Sequence, residues 1–154
     1  MAIKTGVFRK GVFIVVYTND KGKIKYLLLK RKLHWKGWEF PKGGIKKGEG
    51  ILKAVKRELK EETGINPVKI IEYKFKGRYK YPKKISDRKE FIGQTFQLYS
   101  AETKNKKIKL DKREHSQYKW VGFKEAVKML TWKNQKKSLE VVNHAISKKR
   151  IRKI

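Results

Sequence analysis

The chain has 154 residues, of which 43 are Lys or Arg and 14 are Asp or Glu, so its formal net charge is +29. Its length suits one domain with a substantial core, and 12% aromatic residues exclude a disordered tail or linker protein. No apolar run approaches the roughly 20 residues of a membrane helix. The absence of cysteine excludes disulfides and thiolate metal sites. We therefore expect one cytoplasmic domain spanning residues 1–154.

The charge predicts a positive field that attracts polyanions such as nucleic acids and nucleotides. Lys far outnumbers Arg and occurs in almost every segment, which is also typical of a lysine-rich genome or a heat-adapted surface. Heat-adapted surfaces usually raise Glu together with Lys, and this chain does not. The composition therefore favours binding of a polyanion over a purely compositional bias, without specifying the polyanion.

The first half of the chain is predicted to form two strands and a helix. Apolar runs predict strands at Gly11–Tyr17 and Lys25–Lys30, joined by a hairpin turn at Asn19–Gly22. The spacing of apolar residues predicts a helix over Ile51–Thr63. Gly64 follows it, where a helix end favours a residue with positive φ.

The second half of the chain is predicted to form three strands and two helices, which are Pro67–Tyr73, Phe91–Ala101 and Gln117–Val121, then Phe123–Leu130 and Ser138–Ile146. The basic and aromatic segment Lys74–Glu90 is predicted to loop out. The basic end, Ser147–Ile154, either continues the last helix or frays. This order of elements predicts a single α/β domain with a mixed sheet.

The few acidic residues are concentrated at the predicted first helix. At 100° per residue, Glu58, Glu61 and Glu62 share one face. An apolar stripe of Leu52, Val55 and Leu59 lies beside that face, and the helix lysines lie opposite. One interpretation is an ordinary solvated acidic face. The other is a site for Mg²⁺ or Mn²⁺, which prefer carboxylate oxygens and can hold a pyrophosphate and acidify an attacking water.

Residues 43–65 resemble the Nudix box, G-x5-E-x7-R-E-U-x-E-E-x-G-U, in which U is a bulky aliphatic residue. The chain matches every specified position, with Gly43, Glu49, Arg57-Glu58-Leu59, Glu61-Glu62 and Gly64-Ile65. The resemblance implies an α/β/α sandwich around a mixed sheet. It also implies a hydrolase of nucleoside diphosphates linked to another moiety, dependent on Mg²⁺ or Mn²⁺.

The resemblance also implies roles for individual residues of this chain. Glu58, Glu61 and Glu62 would bind the metal ions, with one of them as general base, and the carbonyl of Gly43 would be a backbone ligand. Glu49 and Arg57 would fix the glycine-bearing loop onto the helix through a charge-assisted hydrogen bond.

Segments outside the box extend the resemblance. Pro41–Glu49 resembles the loop of the asymmetrical diadenosine tetraphosphate hydrolases and of bacterial RNA 5′-pyrophosphohydrolases, and Glu114–Trp120 resembles a late segment of the same enzymes. By that match, Glu114 is an additional metal ligand or base that reaches in from a loop. The alternative for Glu114 is a surface residue paired with Arg113 or Lys112.

Substrate contacts are predicted from cations and aromatic side chains near the box. Lys42 is the first candidate for a phosphate contact, followed by Arg9 and Lys10. Tyr79 and Tyr81 are predicted to stack a base while the neighbouring cations Lys80, Lys83 and Lys84 meet phosphates. The alternative for both tyrosines is packing within a strand. The tryptophans are assigned to the core or its rim, with one near Pro41 able to touch the base.

The predicted activity is hydrolysis of a nucleoside polyphosphate. Dinucleoside polyphosphates such as diadenosine tetraphosphate rank first, the 5′-triphosphate ends of RNA second, and oxidised nucleoside triphosphates third. The alternative outside enzymology is an RNA-binding protein on a Nudix fold. The intact set of glutamates argues against that alternative, because a protein that only binds anions has no use for unneutralised carboxylates.

Overall fold

Eight strands and three helices make up the part of the chain that the structure describes. The structure is a computed structural model that describes residues 7–81, 85 and 90–152, with side chains as far as Lys148. The strands are β1 (Phe8–Arg9), β2 (Gly11–Asp20), β3 (Lys23–Arg31), β4 (Gly37–Glu39), β5 (Lys42–Gly44), β6 (Lys69–Lys80), β7 (Gly93–Glu102) and β8 (His115–Val121). The helices are α1 (Ile51–Thr63), α2 (Phe123–Met129) and α3 (Lys133–Arg152).

The strands form one mixed sheet, as predicted. β2 and β7 run parallel at its centre, with Val12 opposite Gln97. β6 pairs antiparallel with the outer side of β7, and β3 pairs antiparallel with β2 and also with β8 and β4. The short β5 pairs with the beginning of β2, which places Gly43 opposite Val12.

Helices cover both faces of the sheet, so the predicted α/β/α sandwich is confirmed. The central strand β2 is buried on both sides, because its residues alternate between two cores. Val12 and Ile14 pack with Val55 and Leu59 of α1. Phe13 and Val15 face the other core, to which α2 and α3 contribute.

Helix α1 has the predicted bounds, and Gly64 ends it with φ 74° and an N–H that reaches the carbonyls of Leu59 and Lys60. The predicted apolar stripe is wrong at Leu52, which is 52% exposed. The first turn packs loosely, since Ile51 is also exposed, and close packing on the sheet begins at Ala54. The buried face continues instead through Glu58 and Glu62.

The prediction that residues 74–90 loop out is wrong for the first seven of them, because β6 runs to Lys80. Within β6, Tyr73, Phe75 and Tyr79 pack against the core while the residues between them are exposed. This period of two is visible in the sequence, where basic residues alternate with Tyr73, Phe75 and Tyr79, and the prediction of a loop overlooked it. Lys83 and Lys84, which the sequence also singled out, lie outside the described residues.

The C-terminal helices are close to their predicted positions. Helix α2 ends one residue before the predicted end, and α3 begins at Lys133, five residues before Ser138. The helix continues through residues 147–152, so the basic end extends α3 as one of the two predictions had it; residues 153–154 lie outside the described part. No helix in the described part is both long and apolar enough to cross a bilayer.

Candidate active site

All four predicted glutamates line one cleft with a volume of about 440 Å³. Helix α1 contributes Glu58 and Glu62, which are 7% and 3% exposed, and Glu61, which lies half-exposed at the rim. Glu114 reaches the cleft from the turn before β8. The helical spacing of the box thus brings two nearly buried carboxylates beside a third, as the sequence predicts.

The backbone of β5 lies directly against the Glu58 carboxylate. A Cβ atom at position 43 would lie 2.0 Å from Glu58 Cδ, a distance that no side chain tolerates. Glycine at this position therefore allows the strand and the carboxylate to approach each other. The predicted backbone ligand, Gly43, lies in the same cleft as the glutamates.

Arg57 and Glu49 fasten the glycine-bearing loop to α1. Arg57 Nε donates to Glu49 Oε2 at 2.7 Å, and Nη2 donates to Glu49 Oε1 at 2.9 Å. The same Nη2 also donates to the Gly44 carbonyl at 2.8 Å. The hydrogen bonds from Arg57 lower the pKa of Glu49 to about 2. This bidentate pair holds the loop at both of its ends.

Arg57 also touches the carboxylates of the cleft, but it does not balance them. Its Nη1 donates to Glu58 Oε1 at 2.9 Å and to Glu61 Oε2 at 3.3 Å. Burial nevertheless raises the pKa of Glu58 to about 7, assisted by Glu61 and Glu114. Burial and the charges of Glu58 and Glu114 raise the pKa of Glu62 well above its usual range. The contacts from Arg57 therefore do not offset the cost of burying these two carboxylates in their charged form.

The donor atoms around these buried carboxylates suit a hard divalent cation. Oxygen or nitrogen atoms of Glu62, Glu114 and His115 lie within 4.8 Å of one another. His115 is completely buried, and its Nδ1 has no hydrogen-bond partner among the described residues. Carboxylate oxygens are the ligands that Mg²⁺ and Mn²⁺ prefer. The residues present thus fit the metal that the resemblance implies.

A second buried carboxylate, Glu39, lies close to the cleft and is paired with two cations, Arg31 and Lys42. Its carboxylate accepts hydrogen bonds from Arg31 Nη1 at 3.3 Å and from His115 Nε2 at 2.9 Å. Lys42 Nζ lies 3.7 Å from the same carboxylate. Burial alone would raise the pKa of Glu39, but Lys42, His115 and Arg31 lower it to about 2. The sequence analysis missed this cluster. Its signal was an acidic residue within the apolar segment Trp38–Pro41, which needs cationic partners when buried.

Glu114 does not form the predicted surface pair with Arg113. Its carboxylate lies 3.7 Å from Arg31 Nη2 and is about a quarter exposed. Arg113 pairs instead with Asp111, at 3.4 Å. Glu114 is thus held at the edge of the cleft by the same arginine that contacts Glu39.

Lys42 lies between the carboxylate cleft and an aromatic hollow. Its Nζ donates to the Tyr79 hydroxyl at 3.3 Å and lies 4.4 Å from the centre of the Trp35 ring. Trp35, Tyr79 and Trp132 line the hollow. The sequence assigned both of these tryptophans to the core or rim, so Trp35 and Trp132 are lining residues that it did not identify.

The remaining substrate candidates occupy different environments. Arg9 lines the cleft, with its guanidinium against Gly44, where a Cβ atom would lie 2.3 Å from Arg9 Cζ. Tyr81 is buried behind Tyr79, with ring centres 6.2 Å apart, and its hydroxyl donates to Gln94 Oε1 at 3.3 Å. Tyr81 therefore supports Tyr79 and does not line the hollow. Lys10 lies in a separate groove.

Comparison with known families agrees with this site. The sequence model of the NUDIX domain matches residues 7–142, so the chain belongs to the Nudix family. It is a Nudix hydrolase that acts on pyrophosphate bonds. The RNA pyrophosphohydrolase of Nitratiruptor sp. is 36% identical over 124 residues, which cover 77% of this chain and 80% of the relative.

Another relative carries a different name. The asymmetrical bis(5′-nucleosyl)-tetraphosphatase of Mus musculus is 33% identical over 125 residues, covering 79% of this chain and 80% of the relative. Among solved structures, a C. elegans Ap4A hydrolase in a binary complex superposes with a TM-score of 0.70 and 22% identity, covering 90% of this chain and 98% of the other. At that identity the superposition shows the shared fold alone.

Proposed function

We propose that this protein is an RNA 5′-pyrophosphohydrolase, which removes pyrophosphate from the triphosphate end of RNA. The observation that carries the proposal is the 36% identity to the Nitratiruptor RNA pyrophosphohydrolase across most of both chains. A relative of the same name from Bartonella bacilliformis is 32% identical over 142 residues. The net charge of +29 suits an RNA substrate. These findings favour the second-ranked substrate of the sequence analysis over the first.

In the proposed reaction, water attacks the α-phosphorus of the 5′ nucleotide. The bond from that phosphorus to the oxygen bridging to the β-phosphorus breaks, so pyrophosphate leaves and a 5′-monophosphate remains. One carboxylate of the cleft takes the proton of the water. Glu58, Glu61, Glu62, Glu114 and the Gly43 carbonyl would hold Mg²⁺ or Mn²⁺. When bound, such ions neutralise phosphate charge and acidify water.

The substrate is bound in the cleft and in the aromatic hollow, which lie on either side of Lys42. Arg9 and Lys42 line the cleft and meet the phosphates, which every triphosphorylated RNA end carries whatever its sequence. Tyr79 and Trp35 line the adjacent hollow and offer aromatic faces on which the first base stacks. Tyr81 supports Tyr79 from behind. This arrangement explains why a lysine is held beside two aromatic rings.

Hydrolysis of dinucleoside polyphosphates is the second candidate. It is favoured by the 33% identity to the Mus musculus tetraphosphatase, which nearly equals that to the RNA enzymes. The aromatic hollow accepts the base of either substrate. The two candidates differ in the group beyond the phosphates, which is an RNA chain in one and a second nucleoside in the other.

A substrate panel with Mg²⁺ or Mn²⁺ tests the proposal. We expect the wild type to release pyrophosphate from 5′-triphosphorylated RNA faster than it cleaves diadenosine tetraphosphate. The Glu58→Gln variant should lose about 10³-fold in rate, whereas Glu125→Gln, on an exposed position of α2, should keep it. Faster cleavage of diadenosine tetraphosphate would favour the second candidate. Tight RNA binding without cleavage of either substrate would contradict both.

A further inference from the structure

The outer strand β6 presents a row of cations on one face. Four alternate positions from 74 to 80 are all exposed and all basic, and they are Lys74, Lys76, Arg78 and Lys80. Alternate residues of a strand lie roughly 7 Å apart on the same face, close to the spacing of successive phosphates in an extended single strand. The intervening side chains pack into the core, so the strand holds the row in a fixed line.

This row borders a groove that differs in character from the catalytic cleft. The groove has a volume of about 560 Å³, and its lining includes three cations, Lys10, Lys76 and Arg78, and no carboxylate. Its floor includes apolar side chains, among them Phe8 and Ile51. The Arg78 guanidinium lies 4.9 Å from the centre of the Phe8 ring. Arginine planes and aromatic rings are the surfaces on which unpaired bases stack.

The groove and the cleft are neighbours in the fold. Arg9 and Gln94 line the cleft, and the residues that follow them in the chain, Lys10 and Thr95, line the groove. Ile45 of the groove follows Gly44, against which Arg9 packs, and its N–H donates to the Lys10 carbonyl at 2.8 Å. A chain that leaves the cleft therefore meets the groove within a short distance.

We propose that the groove and the cationic row of β6 bind the single-stranded body of an RNA whose 5′ end occupies the cleft. This proposal rests on the proposed function, since a mononucleotide or dinucleoside polyphosphate has no chain long enough to use the groove. The lysines and Arg78 meet successive phosphates, and the bases pack on Phe8 and the guanidinium.

Cations on an edge strand also serve to prevent strand pairing between molecules. Such a role needs only charge at the edge. It gives no reason for a guanidinium that lies 4.9 Å from the centre of the half-buried Phe8 ring. The two roles predict different results when the cations are removed.

The test compares a 5′-triphosphorylated dinucleotide with a 5′-triphosphorylated, unstructured RNA of about twelve nucleotides, a length within the usual range of single-strand sites. The variant is Lys76→Gln/Arg78→Gln. Its control is Lys124→Gln/Lys128→Gln, which removes the same charge from exposed positions of α2. Rates of pyrophosphate release give kcat and KM for each RNA, measured at several salt concentrations.

We expect the wild type to have a lower KM for the longer RNA. The β6 variant should raise that KM about tenfold and reduce the salt slope by about 1.4, from two lost phosphate contacts. Its KM for the dinucleotide and its kcat should be unchanged. The control variant should show a much smaller rise in the KM for the longer RNA and a much smaller change in salt slope.

Three results would overturn the proposal. The first is equal KM values of the wild type for the two RNAs, which would leave the proposed function standing without the groove. The second is equal losses in the β6 and control variants, which would show that only total charge matters. The third is aggregation of the β6 variant with unchanged kinetics in its monomeric fraction, which would assign the row to edge protection. Failure to cleave either RNA would instead refute the proposed function.

Discussion

Glu39 and Glu62 are both buried carboxylates beside Lys42, yet their environments are opposite. Glu39 is surrounded by Arg31, Lys42 and His115, and its pKa falls to about 2. Burial raises the pKa of Glu62 well above its usual range, and the charges of Glu58 and Glu114 add to the shift. Glu62 accepts a hydrogen bond from the Lys42 N–H, at 3.2 Å. Cationic side chains lower the pKa of Glu39, whereas burial and neighbouring carboxylates raise that of Glu62.

This difference indicates that Glu39 stabilises the structure of the site, whereas Glu62 is available to bind a metal ion. Removing one partner of a buried charge pair destabilises the folded state, because the remaining charge stays buried without its counter-charge. A carboxylate that is buried near other carboxylates costs free energy in its charged form, and a bound cation offsets that cost. We therefore expect the glutamates of the box to gain stability when a divalent cation is present, whereas Glu39 should need no cation from solution.

Replacing Glu62 should have the largest effect on activity. The Glu62→Gln variant keeps an oxygen for the Lys42 N–H but loses its charge. We expect the hydrolysis rate to fall about 10³-fold, together with loss of Mn²⁺ binding in calorimetry. In EDTA, the melting temperature should stay equal to that of the wild type or rise, because a repulsive charge is removed.

An exposed acidic residue provides the matched control for this prediction. Glu140→Gln makes the same chemical change on α3, at an exposed position away from the cleft. It should leave rate, Mn²⁺ binding and melting temperature unchanged. A fall in the melting temperature of metal-free Glu62→Gln would contradict the comparison, since it would make Glu62 a structural residue like Glu39.

Replacing Glu39 should instead reduce stability. The depressed pKa of Glu39 means that its contribution to stability is present above pH 4.5 and is lost as the pH falls towards 2. A depression of this size corresponds to about 3 kcal/mol. Urea unfolding of Glu39→Gln at neutral pH should show a loss near this value, because Arg31 and Lys42 lose their buried counter-charge.

The pH dependence distinguishes this mechanism from a simple packing defect. Between pH 4.5 and 2 the wild type should lose stability more steeply than Glu39→Gln, so the two curves should converge in acid. The variant should still bind Mn²⁺ when folded. Parallel curves across this range would show that the charge of Glu39 makes no contribution, and the contrast with Glu62 would then fail.

The half of the site that lies in one segment could be predicted from the sequence. The box places Glu58, Glu61 and Glu62 at helical spacings. Arg57 lies on the same helix as these glutamates. Helix bounds and the position of Gly64 follow from the same local rules. Local patterns specify local geometry, so this part required no knowledge of the rest of the fold.

The other half of the site depends on strand pairing. Arg31, Glu39 and His115 come together because β3 pairs with both β4 and β8, which places Arg31 opposite His115. No local pattern records that pairing. In β6, the alternation that places Tyr79 on the inner face is present in the sequence, but the prediction of a loop overlooked it. The sequence therefore found the carboxylates of the box and Lys42, and it missed the cluster of Arg31, Glu39 and His115.

Lys42 links the two carboxylates, and its partner Tyr79 gives the smallest predicted effect. The Lys42 N–H reaches Glu62, while its Nζ faces Glu39 and donates to the Tyr79 hydroxyl. Tyr79→Phe removes only that hydroxyl and keeps the ring. We expect about a fivefold rise in KM for triphosphorylated RNA, because one hydrogen bond that orients the ammonium is lost. Stability and kcat should be unchanged.

Tyr118→Phe is the matched control, since this tyrosine is 38% exposed on β8. It should leave KM unchanged. A fall in kcat with constant KM in Tyr79→Phe would show that the hydroxyl acts on the reaction and not on binding. An unchanged KM would show that Glu39 and Trp35 alone fix the ammonium, because the Nζ lies 3.7 Å from one and 4.4 Å from the ring of the other. Glu39 would then be sufficient to place the Lys42 ammonium, the proposed phosphate contact, beside Glu58 and Glu62.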